Sequence, residues 1–277
     1  MIVPWLPEGR TLVLPERGEV FFRHHRHADP AAPTVLLLHG WTASADLQFF
    51  SAYPALAQHC SIVGIDHRGH GRGLRTPDPF TLVDCAEDAA QLVRALGVEQ
   101  VILIGYSMGG PIGLLLAHRH PDLVRSIIVQ ATAMTFATTF VDRVRWRTVR
   151  LAGPLVRSWA FPRSVRVVLR KLLGDDHRFK HYAGWLAGEI NRNDSLALVQ
   201  AGRELSRFDA TPWAGRLGKT AGALITTNDH LVPPRRQRAL AAALGATVVE
   251  VPADHLTALV APEAYVAATM ELLDRLT

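Results

Sequence analysis

Short runs of consecutive apolar residues alternate with stretches of helical period along the first and last parts of this chain. Residues 35–38, 61–65, 101–104 and 125–130 are runs centred on Val, Ile and Leu, the pattern of strands buried on both faces of a parallel sheet. Between and after them, 47–58, 84–96 and the stretch from 107 to about 120 have helical patterning, the second stopped by Gly97. Residues 11–14 and 19–22 flank Pro15-Glu16-Arg17-Gly18 and predict an antiparallel hairpin. From about 134 to 208 only helical segments follow, at 141–151, 164–173, 177–190 and 195–208. Alternation then resumes with a strand at 221–226, a helix at 234–244, a strand at 247–251 and a closing helix at 262–276. The expectation is an α/β fold: a mainly parallel eight-stranded sheet flanked by helices, with a helical cap inserted after strand 6. Residues 1–132 and 219–277 would form the core and 133–218 the cap.

Composition adds limits. A chain of 277 residues with 48% hydrophobic content can bury a large core without disulfides or metal. Cys60 and Cys85 have no metal-ligand spacing and read as buried free thiols, which suits a reducing compartment. Pro4, Pro7 and Pro15 interrupt the N-terminal stretch, arguing against a secretory signal, and no run approaches the roughly 18 apolar residues of a membrane helix. A soluble, cytoplasmic protein, monomer or homodimer, is expected. Charge is uneven: residues 133–218 carry 15 Lys and Arg against 7 Asp and Glu. Those arginines alternate with Val, Leu and Trp at helical spacing, which favours solvated helix faces over a nucleic-acid surface.

The candidate chemistry begins at Gly105-Tyr106-Ser107-Met108-Gly109. Alone, a G-x-S-x-G match arises about 0.1 times by chance in a chain of this length. Here it directly follows a buried strand and opens a helix, the setting of a nucleophile elbow. Side chains two residues either side of such a turn would collide with the neighbouring strand and helix. A serine hydroxyl needs a base, and the base needs an orienting carboxylate. In the α/β-hydrolases, whose strand–elbow–helix turn this segment resembles, the acid follows the serine along the chain and the base follows the acid. Asp229, just past the strand at 221–226, is the candidate acid, and His255, just past the strand at 247–251, the candidate base. His230 is the rival base and Asp254 the rival acid; each adjoins its would-be partner on one loop, a poor arrangement for a productive pair. Two backbone N–H groups must receive the oxyanion. Met108, following the nucleophile, supplies one; Trp41, in the loop His39-Gly40-Trp41-Thr42 after the first buried strand, supplies the other.

Together these blocks resemble the α/β-hydrolase superfamily, in its capped serine esterase and lipase branch. The resemblance rests on His39-Gly40-Trp41, Asp66-His67-Arg68-Gly69-His70-Gly71-Arg72, Gly105-Tyr106-Ser107-Met108-Gly109-Gly110, Asn228-Asp229 and Asp254-His255, in the family's order from about residue 20 to 276. It implies an α/β-hydrolase fold, a Ser107-His255-Asp229 triad and no metal or organic cofactor. Ser107 at the elbow excludes the branches with an aspartate nucleophile. Many relatives have Gly before the catalytic His, where this chain has Asp254. In relatives the block at 66–72 is mainly a structural loop, and His24-His25-Arg26-His27 reads as a solvated loop rather than a metal site.

The implied reaction is hydrolysis of an uncharged, hydrophobic carboxylic ester through an acyl-enzyme, with a small-molecule ester and water as partners. C–C bond (β-diketone) hydrolysis, lactone hydrolysis and a non-turnover ligand receptor are the alternatives. Candidates for the substrate pocket are His39, Tyr106, Met134, Phe136, Phe140, Trp146, Trp159, Trp185 and Leu231, with Phe161 and Leu186 beside them; a cap core is the competing role for the aromatic ones.

Overall fold

The computed structural model describes residues 3–137, 142 and 180–277. Most of the expected helices at 141–151 and 164–173, with Phe140, Trp146, Trp159 and Phe161, lie outside the described residues.

Eight strands form one sheet: β1 (Glu8–Leu14), β2 (Gly18–His25), β3 (Thr34–Leu38), β4 (Ser61–Ile65), β5 (Val101–Tyr106), β6 (Val124–Gln130), β7 (Thr220–Thr226) and β8 (Thr247–Val251). Their spatial order is β1-β2-β4-β3-β5-β6-β7-β8. The β1–β2 hairpin and the β2–β4 pair are antiparallel, and every other pair is parallel. All six residues of β5 at the sheet's centre are buried, as its unbroken apolar run requires.

The period-2 alternation of the strands divides the core. Leu36, Leu38, Val63, Leu103 and Ile127 face one side, against the helices Leu82–Ala95, Gly109–Arg119 and Pro234–Leu244. Val35, Leu37, Ile62, Ile102 and Ile104 face the other, against Tyr53, Leu56 and the closing helix Pro262–Leu276.

One expected helix is broken. Residues 47–58 form two short helices, Ala45–Phe49 and Tyr53–Leu56. Pro54 has no N–H to donate back to Phe50, so a continuous helix cannot cross that point. Ser44 caps the first by accepting from the Leu47 N–H at 3.1 Å.

The later helical segment is described from 180: a 3-10 turn Lys180–Tyr182, then helices Ala183–Ile190 and Ser195–Arg207. These helices dock on the loops that follow β3 and β4. Trp41 Nε1 donates to Leu198 O (2.9 Å), the Gly71 N–H to Asn193 Oδ1 (2.9 Å) and the Asp194 N–H to Gly69 O (2.8 Å). Where this segment begins and ends the chain closes on itself, through the bridge Thr135–Asp209 and the Ala210 N–H on Met134 O (2.9 Å).

Candidate active site

The parallel strands end together on one edge of the sheet, and the loops leaving them converge at Ser107. Its φ is +50°, in the left-handed region that non-glycine residues rarely occupy. The turn is tight because backbone is packed on both sides. A Cβ on Gly109 would stand 1.9 Å from Leu38 O, and one on Gly105 would stand 2.5 Å from Gly109 O. Hydrogen bonds hold the strained residue at both ends: its N–H donates to Gln130 O (2.9 Å) and its carbonyl accepts from Thr132 Oγ1 (2.7 Å).

His255 arrives from the loop after β8 and Asp229 from the loop after β7. His255 Nε2 lies 2.9 Å from Ser107 Oγ, and Nδ1 lies 2.7 Å from Asp229 Oδ2. An ionised carboxylate only accepts, so Nδ1 carries the donated hydrogen and Nε2 is left to accept from the serine hydroxyl. Burial alone would raise the Asp229 carboxyl. The bond and charge of His255, the Val232 N–H and the Thr226 hydroxyl outweigh it and hold the group below the usual carboxylate range. The rivals lie elsewhere: Asp254 Oδ1 accepts from the Leu256 N–H at 2.8 Å, turning the loop, and His230 is exposed.

Met108 is fully buried directly before the helix Gly109–Arg119, whose N-terminus favours negative charge. The β3 loop closes from the other side: a Cβ on Gly40 would lie 3.3 Å from Ser107 Cβ. Met108 follows Ser107 directly, and Gly40, the residue before Trp41, packs against Ser107 from the other side.

The remaining expected pocket residues that the structure describes are dispersed. His39 is wholly buried and braces its loop, with Nδ1 bonded to Gly40 O (2.8 Å) and Nε2 accepting from the His67 N–H (2.9 Å). Tyr106 turns its hydroxyl to His255 O. Phe136 is buried in the core, with Met134 half-buried against it. Trp185 and Leu186 pack with Phe50, the Trp185 and Phe50 rings meeting edge to face at 5.4 Å. Leu231 is 49% exposed.

The block at 66–72 is tied to its neighbours by buried hydrogen bonds. Asp66 accepts from the Ala45 and Arg72 N–H groups, both at 2.7 Å, and burial pushes its carboxyl up to about 7. His24, Arg26 and His27 border a cleft of about 520 Å³ at the starts of β3, β4 and β5, the opposite end of the sheet from Ser107. Among the described residues no group of three or more His, Cys, Asp or Glu could hold a metal ion, and no helix is long and apolar enough to cross a membrane.

Four polar side chains behind the site have no counterpart in the sequence reading: Gln130, Thr132, Thr226 and Gln237. Thr226 and Gln130 end buried strands, where a polar residue in an apolar run was the available signal. Gln237 lies on a helix of ordinary amphipathic pattern and gave none.

The α/β-hydrolase fold model matches residues 33–262. The chain belongs to the α/β-hydrolase fold family. It is 29% identical over 238 residues to a putative carbamate hydrolase RutD of Agrobacterium fabrum, covering 80% of this chain and 85% of that protein. A shorter match, 32% over 98 residues and 35% of each chain, joins it to a 2-(acetamidomethylene)succinate hydrolase of Mesorhizobium japonicum. Among solved structures, the enol-lactonase of Burkholderia xenovorans LB400 superposes with a TM-score of 0.82 at 21% identity, over 96% of this chain and all of that one. At these identities the structural likeness speaks for the α/β-hydrolase fold alone.

Proposed function

We propose that this chain is a serine hydrolase that cleaves an uncharged carboxylic ester through an acyl-enzyme at Ser107. The observation that carries the reading is the hydrogen-bonded line from Ser107 Oγ through His255 to Asp229, assembled from three separate loops around a serine at positive φ. His255 takes the serine proton as Ser107 attacks the carbonyl carbon, and Asp229 stabilises the imidazolium that results. The Trp41 and Met108 N–H groups receive the oxyanion, each contributing about 2.7–4 kcal/mol to the transition state. His255 then gives its proton to the leaving alcohol, and afterwards draws one from the water that releases the acid.

Residues 133–218 act as the cap that admits the substrate. The docking of helix 195–207 on Trp41 supports this, because a shift of that helix would change the approach to the loop that carries the proposed oxyanion donor. The same acyl chemistry suits a carbamate or a lactone, the substrate classes named for the Agrobacterium and Burkholderia proteins. A C–C bond hydrolase on the same triad remains the other reading. The two buried free thiols fit a cytoplasmic setting.

A fluorophosphonate probe, followed by a panel of p-nitrophenyl esters, carbamates, lactones and β-diketone ring-cleavage products, tests the proposal. Labelling and ester turnover should vanish in Ser107→Ala and in His255→Ala and survive in His230→Ala. Labelling that persists in Ser107→Ala would overturn it.

A further inference from the structure

The carboxylate of Asp229 is held by more than its loop and its histidine. Oδ1 accepts from the Leu231 and Val232 N–H groups, both at 2.8 Å. Oδ2, the oxygen that faces His255, has two further donors: Thr226 Oγ1 at 2.9 Å and Gln237 Nε2 at 3.1 Å.

Gln237 is 3% exposed, and a buried carboxamide is costly unless its donors and acceptors are matched. Among the described residues its side chain bonds only to Thr226, Asp229 and Val232, the stretch that carries the acid. Oε1 accepts from the Thr226 N–H at 3.0 Å, which settles which end of the amide points where. Nε2 then has two hydrogens, one for Val232 O at 2.7 Å and one shared between Thr226 Oγ1 at 2.9 Å and Asp229 Oδ2 at 3.1 Å, so the amide holds the carboxylate both directly and through the threonine hydroxyl. One side chain thus grips the loop at its start, at the acid and at its end, from a helix packed on the sheet.

We infer that Gln237 is a positioning residue for the Asp229–His255 pair, acting with the Thr226 hydroxyl as a clamp that fixes the carboxylate oxygen facing the imidazole. The inference rests on the reading of Ser107, His255 and Asp229 as the triad. Gln237 acts through Asp229 and touches neither the nucleophile nor the base. A carboxylate with three donors on one oxygen is restrained in rotation, and its charge is shared before the imidazolium forms. With one donor removed, it rotates more freely and retains the imidazolium proton more strongly.

Gln237→Met keeps the length and removes the donor. It should lower kcat between about tenfold and a hundredfold, as expected for a misaligned catalytic group, with little change in KM. The acid limb of kcat/KM should move to higher pH by about one unit, the scale of one hydrogen bond to a charged group. In an Asp229→Asn background the same substitution should cost far less, because its route to catalysis is gone. Thr226→Val should move kcat and the acid limb in the same direction, and Thr226→Ser should recover most of the loss; this pair gives the same readings should Gln237→Met not fold.

A Gln237→Met protein of lowered Tm but unaltered kcat and acid limb would overturn the inference and leave a packing role alone. So would equal effects of Thr226→Val and Thr226→Ser. Fluorophosphonate labelling of wild type and Ser107→Ala is run beside these variants. Label that persists in Ser107→Ala defeats the triad reading itself, whereas label that requires Ser107 confines any failure to the clamp.

Discussion

The hydroxyl of Tyr106 donates a 2.7 Å hydrogen bond to the backbone carbonyl of His255, joining the residue before the proposed nucleophile to its proposed base. Tyr106 is 2% exposed, and its ring meets the imidazole edge-on at 5.8 Å. Burial, with Tyr265 and Asp229 nearby, raises the phenol well above its ordinary range, so it remains a donor throughout the working pH range. Tyr106→Phe should therefore fold and bind the probe, yet lose about tenfold in kcat, the value of one buried hydrogen bond. Steady-state kinetics beside a thermal melt would check this; an unchanged kcat would show that the loop keeps its place without the bond.

The elbow makes a harsher prediction. At Gly109 an added methyl would meet the backbone of Leu38, which has no rotamer to yield. Gly109→Ala should cost more than about 4 kcal/mol and leave little soluble protein, whereas Gly184→Ala, with nothing within 4 Å of its Cβ, should be stable to within about 1 kcal/mol of wild type or slightly more stable. Comparing soluble yield and urea midpoints measures the difference.

A buried ion network ties the helix 183–190 to the core. Glu189, with its side chain 1% exposed, receives Arg72 through two bonds of 2.7 and 3.0 Å, Ser44 Oγ at 3.1 Å and Arg192 at 3.1 Å. Arg72 also reaches Asp46 at 3.2 Å, and Asp46 pairs with Arg23 at 2.6 Å. Glu189→Ala leaves Arg72 with Asp46 alone and should cost about 3 kcal/mol, the low end for breaking a buried pair, lowering Tm by roughly 10 °C. Calorimetry would check it.

The protein should also be acid-labile for a specific reason. The His39 and His67 rings meet at a 45° tilt with centroids 4.3 Å apart, and His70 lies 5.6 Å from His39. Burial, reinforced for His39 and His67 by the neighbouring imidazoles, holds His39 down at about 3, His70 at about 4 and His67 well below its ordinary value. Unfolded, all three titrate near 6.5. Between pH 6.5 and 4 the unfolded chain therefore binds more protons, so this stability is complete above 6.5 and is lost as pH falls through the folded values. Asp66 runs the other way: its folded value of about 7 gives a contribution present below about 4 and lost as pH rises through 7. Three groups against one leave a net loss on acidification. His70→Gln should flatten the fall in unfolding free energy by about 1.4 kcal/mol per pH unit, read from denaturant titrations between pH 4 and 6.5.

Much of the fold was legible in the sequence because a strand buried on both faces leaves an unbroken apolar run. The helices 234–244 and 262–276 matched their predicted bounds, since Pro233-Pro234 and Pro262 mark the starts and Gly245 a stop. The helix at 82–95 began two residues earlier than expected because Thr81 caps it, accepting from the Asp84 N–H at 2.9 Å. The expected pocket was read far less well. Aromatic residues at helical spacing look alike whether they face a ligand or a core, and Trp185 and Phe136 are packed among other apolar side chains.

By itself the sequence determined the order of strands and helices, the elbow at Ser107 and the candidates Asp229 and His255, since each follows a strand whose burial is written in local periodicity. Only the tertiary structure decided that His255, rather than His230, reaches Ser107, and that Gln130, Thr132, Thr226 and Gln237 stand behind them. Those contacts join residues from different strands and helices, and the direction of a polar side chain at a strand end or on a helix is set by its packed neighbours, which no local pattern encodes.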